Sequence, residues 1–274
     1  MTSHLEACLS AMTSTSTRSR ADGEKEAAPS DTERNTVASK GAFVREMFAR
    51  IAPRYDLANR VLTAGLDERW RRQALRLLAP PRQGRVVDCC CGTGDLVLGL
   101  LRSDPTLEVI GIDFCVPMLE RAQRRAGRES RANVRFVEGD VMAMPFKDSS
   151  FDGATMGFSL RNVVDVDATL REIVRVLKPG ARFVSLDVTK APNLTFRRLF
   201  NIYFYGVVPL LGGIVGGSPA AYAYLPNSLT HHPSAPELRD RFTRAGFSEA
   251  GYVSLMGGAI AVHHGSKPVR VEAS

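Results

Sequence analysis

Three acids and a pair of glycines are spaced as a nucleotide-type site requires. Asp88 closes an apolar run and is followed by Gly92-Thr93-Gly94-Asp95. Glycine at a strand-to-helix turn lets a ligand approach the backbone closely. Asp113 lies 19 residues after Gly94, at the end of the next apolar run, where a carboxylate accepts hydrogen bonds from ribose hydroxyls. Asp140 and Val141 follow the third run, beside the place for an adenine. The third glycine of a dinucleotide fingerprint is replaced by Val97. The helix that follows opens on Asp95, so a pyrophosphate there would meet a carboxylate in place of bare N–H donors. S-adenosylmethionine carries no phosphate but does carry an ammonium and a sulfonium, which suit acids at Asp88 and Asp95. It is the expected cofactor, ahead of NAD. The alternative for Asp95 is a helix cap with no ligand.

Other polar residues are placed for chemistry. Arg161 follows the apolar run Phe151–Phe158, at the carboxyl edge of a sheet, where open α/β folds bind ligands. It is the first candidate for catalysis; its structural alternative is a salt bridge to Asp165 or Asp187. Asn162 beside it faces a substrate or holds backbone. His232 is a candidate proton relay, or core filler. Tyr55-Asp56 covers the cofactor or packs the helices around it. Of five cysteines, Cys89, Cys90 and Cys91 are consecutive and no C-x-x-C pair exists, so neither a disulfide framework nor a metal site is expected.

These residues need a scaffold. Alternating strands (Arg85–Cys91, Glu108–Asp113, Val134–Gly139, Phe151–Phe158, Arg182–Val188) and helices (Asp95–Arg102, Val116–Ala126, Asp167–Leu177) read as a doubly wound, parallel α/β sheet. A helix at Pro236–Ala245 and a hairpin near Tyr252–Leu255 and Ala259–His263 end the chain. Broken helical stripes occupy residues 41–80, with eight Arg and no Lys from Arg45 to Arg76: a solvated face, or one resting near anionic lipid. The expected organisation is a disordered tail over 1–40, a domain over 41–268 and a short tail over 269–274.

Of 274 residues 44% are hydrophobic and 24% charged, as in ordinary globular proteins. Residues 1–40 hold five basic and six acidic side chains, net −1, so the remainder carries +8 of the total +7. That favours an anionic partner without naming it. The tail has no apolar core for a secretory signal, while an organelle-targeting role stays open. Leu199–Pro236 contains no charged residue. Its prolines and glycines favour an opening lid over residues 194–236, walling an apolar pocket, rather than a membrane span. Tyr203 and Tyr224 supply polar tips there and, with Tyr55, are the candidate substrate contacts.

The segments Phe48–Asn59 (FARIAPRYDLAN), Asp88–Leu96 (DCCCGTGDL), Phe151–Asp165 (FDGATMGFSLRNVVD), Arg175–Gly180 (RVLKPG), Tyr224–Leu229 (YLPNSL), Arg244–Phe247 (RAGF) and Met256–Lys267 (MGGAIAVHHGSK) resemble the demethylmenaquinone/2-polyprenyl-benzoquinol C-methyltransferases of quinone biosynthesis. The resemblance implies a class I S-adenosylmethionine-dependent methyltransferase: seven strands, mostly parallel, the last antiparallel. It implies cofactor contacts at Thr93, Asp113, Asp140 and Val141, joined by Asp88, Gly92, Gly94 and Gly157 from the loop and the fourth strand. Cys90 replaces the usual first glycine of the loop, Gly157 stands where many members carry Ser, and Ser159 replaces the commoner glycine.

The resemblance further implies methylation of a hydroquinol ring, demethylmenaquinol first among the substrates, with Arg161 a candidate for water-assisted deprotonation. Aligning carbon and methyl and helping a proton leave is then the protein's task. The lipid-soluble substrate implies a cytoplasmic protein in peripheral contact with a membrane, as a homo-oligomer or within a quinone-biosynthesis complex. Rival readings are a sterol or phospholipid methyltransferase and a non-catalytic cofactor-binding protein. Nucleic acid is not an expected partner: the fourth strand is followed by Gly157-Phe158-Ser159-Leu160-Arg161, not the Asp/Asn-Pro-Pro-aromatic element of amino-methylating enzymes.

Overall fold

The computed structural model describes residues 31–127, 133–218, 221, 222, 224, 228, 229 and 232–269. The chain divides into units Met1–Thr36 and Val37–Ser274, and every site below lies in the second. Two cores cover the two faces of its sheet. One is built on Val86, Val109, Val184 and Val262 and the other on Val87, Ile110, Phe151 and Phe183. Alternate residues of each central strand enter opposite cores, as the period of two demands.

The strands are β1 (Arg85–Cys89), β2 (Glu108–Asp113), β3 (Val134–Glu138), β4 (Phe151–Gly157), β5 (Leu177–Val188), β6 (Ser248–Leu255) and β7 (Ile260–Ser266). They pair in the order β3-β2-β1-β4-β5-β7-β6. The first five are mutually parallel, and β7 runs antiparallel to both β5 and β6. This is the expected class I methyltransferase sheet. The order reverses between β1 and β4, which opens a crevice outside their carboxyl ends. Helices α4 (Asp95–Ser103), α5 (Val116–Ala126) and α6 (Val166–Val176) form the crossovers.

Ahead of the sheet lie α1 (Asp31–Ile51), a 3-10 turn (Ala52–Arg54), α2 (Tyr55–Leu62) and α3 (Leu66–Leu78). The tail expected to be disordered through residue 40 therefore contains helix from Asp31 on; residues 1–30 lie outside the described ones. Composition undervalues this stretch. Val44, Met47 and Ile51 are buried, so the costly helical nucleus forms there and further turns propagate cheaply. β5 starts at Leu177, before the expected Arg182, because Pro179-Gly180 ends α6 but does not end strand pairing: Leu177 pairs with Phe151 before a bulge shifts the register. β6 likewise starts at Ser248, its alternation masked by a shift between Ser248 and Gly251.

The uncharged segment differs most from expectation. α7 (Leu194–Asn201), a π-helical turn (Ile202–Val207) and α8 (Val208–Gly216) form one continuous run, and α9 (Ala235–Arg244) follows later. Pro209 is the second residue of α8, directly after the π turn, so the N–H it lacks falls where the helical hydrogen-bond register already changes. The glycines are not hinges throughout. A Cβ on Gly212 would lie 2.3 Å from the Tyr222 ring and one on Gly216 2.1 Å from it, so these two glycines seat that buried side chain. Gly216→Leu should force Tyr222 out and cost about 1–3 kcal/mol by overpacking. A thermal melt should fall by about 2–4 °C per kcal/mol; an unchanged melt would show that the seat is loose.

Candidate active site

A cleft of about 670 Å³ opens at the carboxyl ends of β1, β2 and β4, lined by Asp88, Gly92, Thr93, Asp113, Asp140, Val141, Gly157 and Asn162. Gly94, expected in the same role, is not in its wall. It is the N-cap of α4 with φ +84°, and a Cβ there would press on Ala122 at 3.2 Å. Its task is to let α4 and α5 approach. Cys90, in place of a glycine, also takes a positive φ of 53°, a conformation that costs an ordinary residue about 1–2 kcal/mol.

Asp113 ends β2 with one carboxylate oxygen on the Gly92 N–H at 2.8 Å and the other on the Cys115 N–H at 2.9 Å. Each oxygen keeps a further lone pair for a ribose hydroxyl. Burial pushes its pKa up to about 6 against the pull of those backbone donors. Asp88 accepts from the Thr155 hydroxyl at 2.8 Å. Burial first, and the Asp113 charge after it, push Asp88 up to about 7. Asp140 is exposed and accepts from the Met142 N–H at 2.9 Å. Asn162 turns its amide nitrogen toward the Phe158 carbonyl at 3.4 Å, while its Oδ1 is buried without a partner. Two costly buried acids and an orphaned acceptor suit a ligand that brings cations and hydroxyl donors. This donor set fits S-adenosylmethionine.

Thr93 and Asp95 are occupied differently from expectation. The Thr93 hydroxyl donates to Asp56 at 2.6 Å, and its carbonyl accepts from Arg125 at 2.8 Å. Asp56 also pairs with Arg121 at 2.8 Å. Asp95 neither caps α4 nor stands free for the cofactor; it pairs with Arg125 at 2.6 Å and Arg71 at 2.8 Å. Arg71 in turn holds Asp67. This lattice ties α2 and α3 to the glycine loop. The sequence by itself does not show this lattice, because Arg71 there is one of eight arginines that suit a solvated or lipid-facing surface. The available signal is the LDERWR start of α3, where Asp67 and Arg71 sit at i and i+4.

A second cavity of about 440 Å³ is walled by apolar side chains of α2, α3, the π turn and α8, among them Leu62, Trp70, Phe204 and Val208. Phe48, Tyr55 and Arg71 line both cavities, so the two meet at those residues. Arg161 and Tyr203 line the apolar one. Arg161 forms a buried salt bridge with Asp187 through its guanidinium, and its backbone N–H lies 3.3 Å from the same carboxylate. Its Nε has no partner. Asp165, the other acid considered, caps α6 by accepting from the Ala168 N–H at 2.9 Å. The Tyr203 hydroxyl donates to the Leu62 carbonyl. Tyr224 and His232 are brought to neither cavity. The Tyr224 ring packs on Phe43 at a tilt of 59°, with centroids 5.5 Å apart. His232 is buried with an unpartnered Nδ1, and burial holds its pKa down, so it packs as a neutral ring. No cluster of metal-ligating side chains exists among the described residues.

The description of the ubiE/COQ5 methyltransferase family matches residues 35–267. The chain belongs to that family. A demethylmenaquinone methyltransferase of Thermus thermophilus is 44% identical over 81% of this chain and 100% of its own length. A ubiquinone/menaquinone biosynthesis C-methyltransferase of Desulfotalea psychrophila is 41% identical over 84% of this chain and 93% of its own. Among solved structures, a methyltransferase from Thermotoga maritima described as a possible histamine N-methyltransferase shares the fold at a TM-score of 0.57 and 23% identity, covering 82% of this chain and 99% of that one. The protein is an S-adenosylmethionine-dependent methyltransferase.

The two raised acids give this methyltransferase a definite pH response. In the folded apoprotein Asp88 and Asp113 keep protons that the unfolded chain has already lost, so the apoprotein loses stability as pH rises from about 4 to about 7. Cationic groups and hydroxyl donors of the cofactor favour the carboxylates. Cofactor affinity should therefore rise across about pH 5.5–7.5 and flatten above, and binding near pH 6.5 should release protons to the buffer. Calorimetry in phosphate and in Tris reads that release as a difference in heat. Equal heats in both buffers would show that the acids are ionised before the cofactor arrives.

Proposed function

We propose that the enzyme C-methylates the ring of a polyprenyl hydroquinol in quinone biosynthesis, with demethylmenaquinol as its substrate. The observation that carries this reading is the joined pair of cavities, a polar cleft with buried acids and an apolar chamber holding Arg161, which meet at Phe48, Tyr55 and Arg71. The names of the relatives support the same substrate class.

S-adenosylmethionine supplies an electrophilic sulfonium methyl. The chain's own residues do the rest. Asp113 and Asp88 fix the cofactor end in the cleft. Leu62, Trp70 and Phe204 exclude water from the ring and its tail. Tyr55, at the start of α2 where the cavities meet, bears on the face of the ring. Arg161, held by Asp187 with its Nε unfilled, offers a hydrogen bond to a ring hydroxyl and stabilises the phenolate that develops on it. The ring carbon gains the methyl, the carbon–sulfur bond breaks, and the proton on that carbon leaves to water.

The ring is nucleophilic only when reduced. Purified enzyme should methylate a short-chain demethylmenaquinol kept reduced by dithionite, and leave the oxidised quinone untouched. Turnover of neither form, or preference for a sterol or a phosphoethanolamine headgroup, would overturn the assignment.

A further inference from the structure

The helical run Leu194–Gly216 has 23 residues, 18 of them in a stretch of mean hydropathy 1.6, long and apolar enough to cross a membrane. Its surroundings argue for a different use. Phe204, Val208, Gly212 and Gly216 recur every four residues and are buried. Ile202, Gly206, Leu210 and Ile214 recur at the same spacing and are exposed, with Ile202, Leu210 and Ile214 between 65% and 69% accessible. A spacing of four drifts by about 40° per step on an ordinary helix. The wider π turn at Ile202–Val207 drifts the other way, which keeps both lines straight. The run therefore has one face packed on the protein, with two glycines seating Tyr222, and one apolar face left open.

The packed face, not the open one, borders the apolar chamber. Phe200, Tyr203, Phe204, Val208 and Leu211 of the same run wall the chamber, and so do the exposed Val61, Leu66 and Met256. Leu57 is exposed as well. The stretches Leu57–Leu66 and Leu194–Gly217 contain Arg60, Arg197 and Arg198 and no acid.

We propose that Leu194–Gly216 lies in the plane of an anionic bilayer surface, with Ile202, Leu210 and Ile214 among the acyl chains and Arg60, Arg197 and Arg198 among the headgroups. A span would meet lipid on all sides and expose the glycine-seated face. A second copy docked symmetrically would set the same arginines against each other without a carboxylate between them. A one-sided apolar stripe with a basic border is the pattern of an interfacial helix. The exposed Val61, Leu66 and Met256 give the chamber an apolar rim, through which a substrate with an apolar tail would enter from that surface. The proposal deepens the quinol reading by naming the surface that delivers such a substrate, but its geometry stands whichever lipid is methylated.

The test uses the full chain, with vesicles of phosphatidylcholine alone and of phosphatidylcholine with phosphatidylglycerol, and needs no quinol. Wild type should cosediment with the anionic vesicles at least tenfold better than with the neutral ones, lose most of that binding at high salt, and be released by alkaline carbonate. Leu210→Glu/Ile214→Glu should lower vesicle affinity at least tenfold while cofactor affinity and melting temperature stay unchanged, because neither side chain lines a cavity. Resistance to carbonate would overturn the proposal in favour of a span. Binding to neither vesicle would overturn it, and a dimer that the double variant splits would identify a second copy as the true occupant. Vesicle binding without turnover of any quinol would leave this surface standing and remove the substrate assignment alone.

Discussion

Asp113→Asn will bind S-adenosylmethionine ten- to a hundredfold more weakly than the wild type at pH 8. The carboxylate lies at the carboxyl end of β2, spans the Gly92 and Cys115 N–H groups, and faces the cleft. The amide keeps the shape but replaces one acceptor oxygen by a donor, which then opposes a backbone N–H. A hydrogen bond to a charged group contributes about 1.5–3 kcal/mol, and about 1.4 kcal/mol is a factor of ten. The amide N–H also opposes the Gly92 or the Cys115 backbone N–H at every pH, so the melting temperature should fall with the affinity. Lowering the pH separates the two effects. Below about pH 6 the wild-type carboxyl is itself protonated, so the affinity gap should narrow while the stability gap persists. Calorimetry at pH 5 and pH 8 measures both ends, and equal affinities at pH 8 would remove Asp113 from the cofactor site.

Asp113 was legible because its role depends on local spacing: an acid at the end of the second strand is placed by the strand itself. The same holds for Asp88, Val141 and the order of the parallel strands, which follow from apolar runs closed by turn residues. What escaped depends on contacts between distant segments. Asp95 looked free for a cation because the sequence does not show that Arg71 and Arg125, 24 residues before it and 30 after it, converge on it. His232 follows an uncharged stretch that suggested a pocket, yet it is buried outside both cavities, within reach of the Asp187 and Arg161 charges. The glycines at 212 and 216 read as hinges because glycine permits both freedom and close approach, and only the Tyr222 ring resting on them decides between the two. The in-line stripe Ile202–Ile214 was hidden for a related reason. Its period of four is neither the strand's nor the ordinary helix's, and it becomes a single face only through the π turn.

Arg161 is the residue for which structural and functional roles overlap most, and three variants separate them. Its guanidinium is buried against Asp187, whose side chain is 3% exposed. Arg161→Met removes one partner of a buried pair and strands the other charge, a change that costs about 3–5 kcal/mol. The single variant should therefore melt well below the wild type and lose turnover, which alone decides nothing. Asp187→Asn in the same chain removes the stranded charge, and the double variant should recover most of the lost stability. If Arg161 serves only to hold β5 to the turn after β4, turnover recovers with the fold. If its guanidinium meets the substrate, the double variant stays at least a hundredfold slower in kcat while cofactor affinity matches the wild type. Arg161→Lys completes the set. A lysine keeps the charge beside Asp187 but lacks the planar fork that addresses a carboxylate and a ring hydroxyl at once, so it should restore stability more fully than rate. The prediction for an acting Arg161 is thus a split, melting temperature restored and kcat not. Recovery of both in the double variant would assign the residue to the scaffold and leave Tyr55 and Arg71 as the polar groups where the two cavities meet.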